Sequence, residues 1–229
     1  MEIYLPLRGA LRMNSPMLIL ASTSPRRLEL LRQLGVDFKA VAAGVSEIEH
    51  EELSARELAQ INAYRKARAV AKKHPDFIVL AADTVVCLEA KLFGKPATLE
   101  EAYLMLEQLQ GRAHEVVTAV CLLHLRARRQ KIFCENTIVK FRPLDAVKIR
   151  RYLTQVNPLD KAGGYGIQER GEELVEKIVG SYTNVVGLPL ERVAAELQSW
   201  AGIPAAWSPA LSAAALRFQA GSNPTQFLP

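Results

Sequence analysis

Two runs of five apolar residues constrain this chain more than any other feature. Met17-Leu18-Ile19-Leu20-Ala21 and Phe77-Ile78-Val79-Leu80-Ala81 are continuous and of strand length, the pattern of a buried strand. The first passes through Ser22-Thr23-Ser24-Pro25 into a segment whose Leu28, Leu30, Leu31 and Leu34 have helical spacing. Ser24 is placed to act as N-cap, Pro25 as the first helical residue and Gly35 as the stop. The second run ends at Ala82-Asp83-Thr84, read here as a strand end.

The rest of the chain continues the alternation. Residues 38–43 are predicted as a strand, and 54–73 as a helix that ends in Lys72-Lys73 before Pro75. Val85 to Leu88 and Lys91 to Phe93 read as the arms of a short hairpin, and Leu99 to Leu109 as a helix stopped at Gly111. Val116 to Leu125 and Ile132 to Phe141 have the β-branched content of paired strands, joined by the solvated connection Arg126-Ala127-Arg128-Arg129. Leu144 to Leu153 is predicted as a helix, 163–166 as a Gly-rich loop, 173–179 and 182–187 as strands, and Leu190 to Trp200 as the last helix. Alternating strands and helices with some neighbouring strands predict an α/β fold with a mixed sheet. Three segments follow: residues 1–16 as a leader, in which Met13 and Met17 are alternative starts, 17–200 as the folded domain, and 201–229 as an appended tail with one short helix at 209–218.

Composition excludes several classes. With 49% hydrophobic and 23% charged residues, the chain as a whole is not of the disordered type. A net charge of +5 is a mild bias that suits an anionic small molecule at least as well as a nucleic acid. No run reaches the roughly 18 apolar residues of a membrane span, and with Arg8 and Arg12 but no adequate apolar stretch near the N-terminus, a secretory signal is not expected. Cys87, Cys121 and Cys134, in apolar contexts and without C-x-x-C spacing, read as buried reduced thiols.

Five groups of residues could carry chemistry. Ser22-Thr23-Ser24-Pro25-Arg26-Arg27 joins a helix start to two guanidinium forks, a phosphate cradle, although an ordinary capped helix with exposed arginines fits the same spacing. Asp83, at the end of an apolar strand, could hold a metal or activate water, or merely close a turn. Among Glu47, Glu49, Glu51 and Glu52, one could join Asp83 in binding Mg²⁺ while the others form a solvated acidic loop. Lys66 and Lys95 could act as point charges for phosphate. In Asp160-Lys161-Ala162-Gly163-Gly164-Tyr165-Gly166-Ile167-Gln168, the glycines suggest close backbone approach to a ligand, and the Gln168 amide could read a base edge. No P-loop pattern and no Ser-His-Asp or Cys-His ordering occurs, and His114 reads as structural.

Taken together, these pieces resemble the Maf family of nucleoside triphosphate pyrophosphatases. The resemblance runs from about Met17 to about Leu197. It is carried by Leu20 to Arg27, Ala82-Asp83-Thr84-Val85-Val86, Gly94-Lys95-Pro96, Met105-Leu106 with Leu109 to His114, Leu159 to Gln168 and Gly180 to Leu190. It implies an elongated mixed sheet with two lobes and a cleft, similar in shape to inosine triphosphate pyrophosphatases. It also implies cleavage of the α–β phosphoanhydride, giving a monophosphate and pyrophosphate, with a divalent cation, Mg²⁺ or Mn²⁺. By resemblance, Asp83 is the catalytic carboxylate, Glu47 and Asp83 hold the metal, Lys66 and Lys95 face phosphate, and Ser24 and Arg27 belong to the phosphate loop. Arg26, Thr84 and Gln168 match the marks of the subfamily that prefers dTTP and UTP. One departure is visible: Glu169-Arg170-Gly171 and Leu174 stand where the family continues with Gly and an aromatic strand start. The resemblance implies a cytoplasmic protein with a nucleotide as its partner and no nucleic acid or membrane, and it leaves a homodimer open. Two alternatives accompany it: a regulatory binding protein of septum formation, and a house-cleaning pyrophosphatase for non-standard nucleotides.

Overall fold

In the computed structural model, residues 18–48, 50 and 52–205 are described. The N-terminal leader, the helix predicted at 209–218, Glu49 and Glu51 lie outside the described residues. The first apolar run forms β1 (Leu18–Leu20), followed by α1 (Pro25–Gln33), β2 (Phe38–Ala40), α2 (Ala55–Ala71), β3 (Ile78–Leu88) and β4 (Lys91–Phe93). Then come α3 (Leu99–Leu109), β5 (Ala113–His124), β6 (Arg129–Phe141), α4 (Ala146–Leu153) and a 3-10 turn (Ala162–Gly164). The described chain closes with α5 (Gly171–Leu174), β7 (Val175–Val179), α6 (Tyr182–Val186) and α7 (Leu190–Ala201).

The seven strands form one mixed sheet in the order β2-β1-β3-β5-β6-β7, with β4 added to the far end of β3. β1 pairs in parallel with β2 and β3, and every other pairing is antiparallel. The chain steps outward from β1 to β2 through α1, then back across β1 to β3 through α2. Right-handed crossovers in opposite directions put the two helices on opposite faces of the sheet. Alternate residues of β3 record this. Leu80, Ala82, Val86 and Leu88 pack with α1, α3 and α7, whereas Val79, Ala81, Val85 and Cys87 pack with the alanine-rich face of α2. The small side chains Ala59, Ala63 and Ala67 let α2 lie close to the sheet. Its start is fixed by a capping box, in which Ser54 and Glu57 exchange side-chain and backbone bonds.

Several sequence expectations need correction. Asp83 does not end a strand. Val85 to Leu88 continue β3 without a break, so Asp83 lies inside an eleven-residue strand and is only 5% exposed. The expectation failed because strand ends are set by neighbours: β5 runs beside β3 in unbroken register from Ile78 to Cys87. The 182–187 run, β-branched as it is, forms helix α6. Ser181 accepts from the Asn184 N–H as its cap, and Gly187, at φ +124°, ends it. In the 173–179 run only Val175–Val179 is strand, after one turn of helix. The second strand is shorter than expected and stops at Ala40. α7 reaches Ala201, and beyond its Gly202 cap Ile203 is buried against the core.

The three cysteines are free and buried, and burial pushes the Cys121 thiol up to about 12. Among the described residues, no helix is long and apolar enough to cross a membrane.

Candidate active site

β1 stops at Leu20, where the Ala21 N–H donates to the Leu80 carbonyl, while β3 runs on to Leu88. Just past the end of β1 the edge of β3 is therefore uncovered until β4 joins it at Val86. This is a topological switch point, where the chain has left β1 on one side and β3 on the other, and α/β sheets bind ligands there. A cleft of about 450 Å³ occupies it, bounded by the Ser22–Ser24 turn, the 42–47 segment, Lys95 and the Gly-rich loop. Because the β3 edge is open, residues from both faces of the strand reach the same cleft.

On the α2 face stands a chain of alternating charges. Lys66 Nζ, on α2, donates to Asp83 Oδ1 at 2.5 Å and to Glu47 Oε1 at 2.6 Å. Lys95 Nζ donates to both oxygens of Glu47 at 2.9 and 3.0 Å. The segment carrying Glu47 is fixed to α2 by Asn62, whose amide exchanges two hydrogen bonds with the backbone of Ile48. Burial pushes the Glu47 carboxyl up, but Lys66 and Lys95 outweigh it and hold it at about 2. Asp83 is raised: burial is the largest influence, reinforced by Glu47 and opposed by Lys66 and Arg27. Two neighbouring carboxylates are thus pushed apart, one fixed as an anion and the other poised to take a proton.

On the other face stand the residues of α1. Ser24 occupies the N-cap position as expected, but its hydroxyl makes no capping bond, and its N–H donates to Ser22 Oγ at 3.2 Å. The cradle therefore rests on the Arg26 and Arg27 positions of the helix start. Arg27 Nε donates to the Gly187 carbonyl at 2.9 Å and Nη2 to Thr84 Oγ1 at 3.0 Å, which aims the rest of the fork. A Cβ on Gly187 would stand 3.5 Å from both Arg27 Nε and Thr84 Oγ1, and its φ of +124° suits glycine. Arg26 binds Asp160 in two ways, to its carboxylate at 2.7 Å and to its carbonyl at 2.9 Å, joining α1 to the Gly-rich segment.

That segment is stapled from below. Lys161 is buried, and its Nζ reaches the Asn157 carbonyl at 2.6 Å, Asp160 at 2.8 Å and Glu169 at 3.0 Å. A Cβ on Gly166 would stand 2.6 Å from the Lys161 Cε. Gly163 N–H donates to the Gly94 carbonyl at 2.9 Å, so the same loop also steadies the segment that presents Lys95. Tyr165 lines the floor of the cleft, and its hydroxyl meets His114 Nε2 at 2.8 Å. Burial holds His114 at about 4, neutral and structural as expected. Gln168 is exposed on the cleft wall.

The residues to which the resemblance gives a role meet in this one cleft: Ser24, Arg26, Arg27, Glu47, Lys66, Asp83, Thr84, Lys95 and Gln168. Glu52 is exposed and outside it. Sequence reasoning placed Gly187 in a matching motif without giving it a role, missed Asn62, and missed Lys161 as a staple. The only advance signals were a glycine closing a β-branched run and polar side chains inside helical or glycine-rich segments. The carboxylate donors fit a hard divalent cation. Glu47 and Asp83 oxygens converge on one Lys66 nitrogen, and two carboxylates with substrate phosphates are a usual set for Mg²⁺. Among the described residues there is no cluster of three or more metal-ligating side chains, so the protein donors alone would leave most of a coordination shell to phosphate and water.

A switch-point cleft in an open mixed sheet, with a raised carboxyl on one side and lysine and arginine groups around it, defines an α/β protein built to handle a polyanion. The chain belongs to the Maf family: residues 17–200 match the profile described as Maf-like protein. It is 48% identical over 181 residues to the dTTP/UTP pyrophosphatase of Carboxydothermus hydrogenoformans, covering 79% of this chain and 97% of that one. It is 44% identical over 183 residues to the dTTP/UTP pyrophosphatase of Pelotomaculum thermopropionicum, covering 80% and 96%. Among solved structures, the Staphylococcus aureus Ham1 protein aligns with a TM-score of 0.39 at 17% identity, over 55% of this chain and 71% of that one.

Proposed function

We propose that this chain is a nucleoside triphosphate pyrophosphatase that hydrolyses dTTP and UTP to the monophosphate and pyrophosphate. The observation that carries the reading is Asp83: a buried, raised carboxyl, held by Lys66 at 2.5 Å beside the anionic Glu47, at the open edge of β3. Its near-complete burial and charge pairing are what a general base needs and what a turn-closing aspartate does not. Family membership and relatives at 44–48% identity support the substrate class.

A bound triphosphate brings about four negative charges, which cations and N–H donors must offset before water can attack. Lys66, Lys95, the free part of the Arg27 fork and the helix start supply that offset. Asp83 takes the proton of the attacking water, the water oxygen bonds the α-phosphorus, and the bridging oxygen leaves with pyrophosphate. Glu47 and Asp83 would hold Mg²⁺ or Mn²⁺, which when bound polarises phosphate oxygens and lowers the pKa of a coordinated water. Arg27 cannot lose its charge at working pH, so its fork keeps phosphate and not base chemistry as its task.

The test is product identity with one substitution. Wild-type protein given dTTP should yield dTMP and pyrophosphate, and chelation should stop it until Mg²⁺ or Mn²⁺ is restored. Asp83→Asn should lower turnover by on the order of a hundredfold or more while nucleotide binding persists. Accumulation of dTDP and phosphate, or an Asp83→Asn protein of near wild-type rate, would reject the reading.

A further inference from the structure

Two threonines face each other across β3 and β5. Thr84 and Thr118 are register partners, and both point to the face that carries α1 and α6. Three contacts link them to their surroundings. Arg27 Nη2 donates to Thr84 Oγ1 at 3.0 Å, the two threonine oxygens lie 2.9 Å apart, and Thr118 Oγ1 donates to the Asn184 backbone carbonyl at 3.0 Å. Asn184 is itself anchored, because its amide donates to the Val116 carbonyl at 2.9 Å and to Thr137 Oγ1 at 3.0 Å.

The direction of this chain is fixed. A guanidinium only donates, a carbonyl only accepts, and each hydroxyl has one hydrogen. One assignment makes all three contacts hydrogen bonds: Thr118 gives its hydrogen to Asn184, Thr84 gives its own to Thr118, and Arg27 gives one to Thr84. The Thr84 hydrogen is therefore committed inside the protein, and one of its two lone pairs is taken by Arg27. What Thr84 offers the cleft it lines is the remaining lone pair. Thr84 is also the one residue of β3 that is not buried, so this lone pair can meet a ligand.

We propose that Thr118 is a positioning residue for specificity. Fully buried and outside the cleft lining, it holds Thr84 as a pure acceptor, so the site favours a base presenting an N–H over one presenting a ring-nitrogen lone pair. The inference rests on the pyrimidine triphosphate reading above. Uracil and thymine carry an N–H at ring position 3, where cytosine carries a lone pair. A fixed acceptor facing that lone pair leaves both groups unpaired in a desolvated site.

The experiment compares UTP and CTP, which share sugar and phosphates. Thr118→Val removes the hydroxyl at nearly constant volume and frees the Thr84 hydrogen to turn toward the cleft. The UTP-to-CTP ratio of kcat/KM should fall on the order of tenfold in this variant and hold in Thr118→Ser. In a Thr84→Val background, Thr118→Val should change the ratio no further, because Thr118 acts only through Thr84. An unchanged ratio, an equal loss on both nucleotides, or a further fall in the double variant would overturn the proposal. If the valine variant does not fold, Thr118→Ala enters the same cycle with the same expected ratios. Should the wild-type protein release pyrophosphate from no nucleotide, the pyrophosphatase reading fails on its own. The ratio of UTP to CTP dissociation constants by calorimetry then decides the role of Thr118.

Discussion

Replacing Lys66 by methionine keeps most of the side-chain stem and removes the ammonium. Lys66 is 9% and Asp83 5% exposed, so the lost partner leaves a carboxylate with little water to compensate. Glu47 keeps Lys95 and is the lesser casualty. Breaking a buried pair by removing one member costs roughly 3–5 kcal/mol at a pH where the survivor is charged. At a typical urea m-value that is a midpoint lowered by about 2 M. The loss must also depend on pH in a definite sense. With Lys66 gone, burial and Glu47 raise Asp83 and only Arg27 opposes them, so the folded pKa stands farther above the unfolded value. A carboxyl raised on folding contributes its stability fully below the unfolded pKa, and that contribution is lost as pH rises through the folded pKa. The deficit of Lys66→Met should therefore be large well above the carboxylate range and shrink as pH falls into it. Urea unfolding of both proteins at several pH values, followed by circular dichroism, measures it. A deficit of equal size at every pH would show that Lys66 acts through its aliphatic stem, and the charge argument would fail.

Three further outcomes are expected. Arg27→Lys cannot bond Gly187 and Thr84 while facing phosphate, so KM for the triphosphate should rise about tenfold with a smaller change in kcat, as steady-state kinetics would report. Because Asp83 must be ionised to accept a proton and its pKa is raised, the acid limb of kcat/KM should fall above the ordinary carboxylate range; a limb at an unshifted carboxylate pKa would count against it as the base. A chain ending at Ala205 should retain hydrolysis, whereas one ending at Ala201 loses buried Ile203 and should be about 1.5–3 kcal/mol less stable by denaturant titration.

Much of this molecule could be read in advance where local chemistry decides. The Ser24-Pro25 start of α1, the start of α2 near Ser54 and the Gly111 stop after α3 are written in neighbouring residues, and each stands where expected. The residues that meet in the cleft were singled out through family resemblance, since residue spacing alone left Asp83 and Lys66 with ordinary explanations. What stayed hidden depended on distant partners. Nothing beside Asp83 says that β1 stops at Leu20 while β5 carries β3 onward to Leu88. Tyr182 to Val186 has strand composition, and becomes helix because Ser181 caps it and Asn184 is needed between β5 and β6. A faint signal for Thr118 existed: it is the lone hydroxyl in the apolar run Val116-Val117-Thr118-Ala119-Val120.

Asp83 and Thr84 are consecutive, yet they project from opposite faces of β3 into separate polar networks, one tied to α2 and the other to α1 and α6. The two hydrogen-bond networks are separate, although both side chains line one cleft and Arg27 still acts on Asp83 through space. An exchange at Thr118 acts on Thr84 and leaves the hydrogen bonds of Lys66 to Asp83 and Glu47 in place. The same adjacency forbids a length change within β3, since a slip by one residue would send the carboxylate to the Arg27 side and the hydroxyl to the lysine.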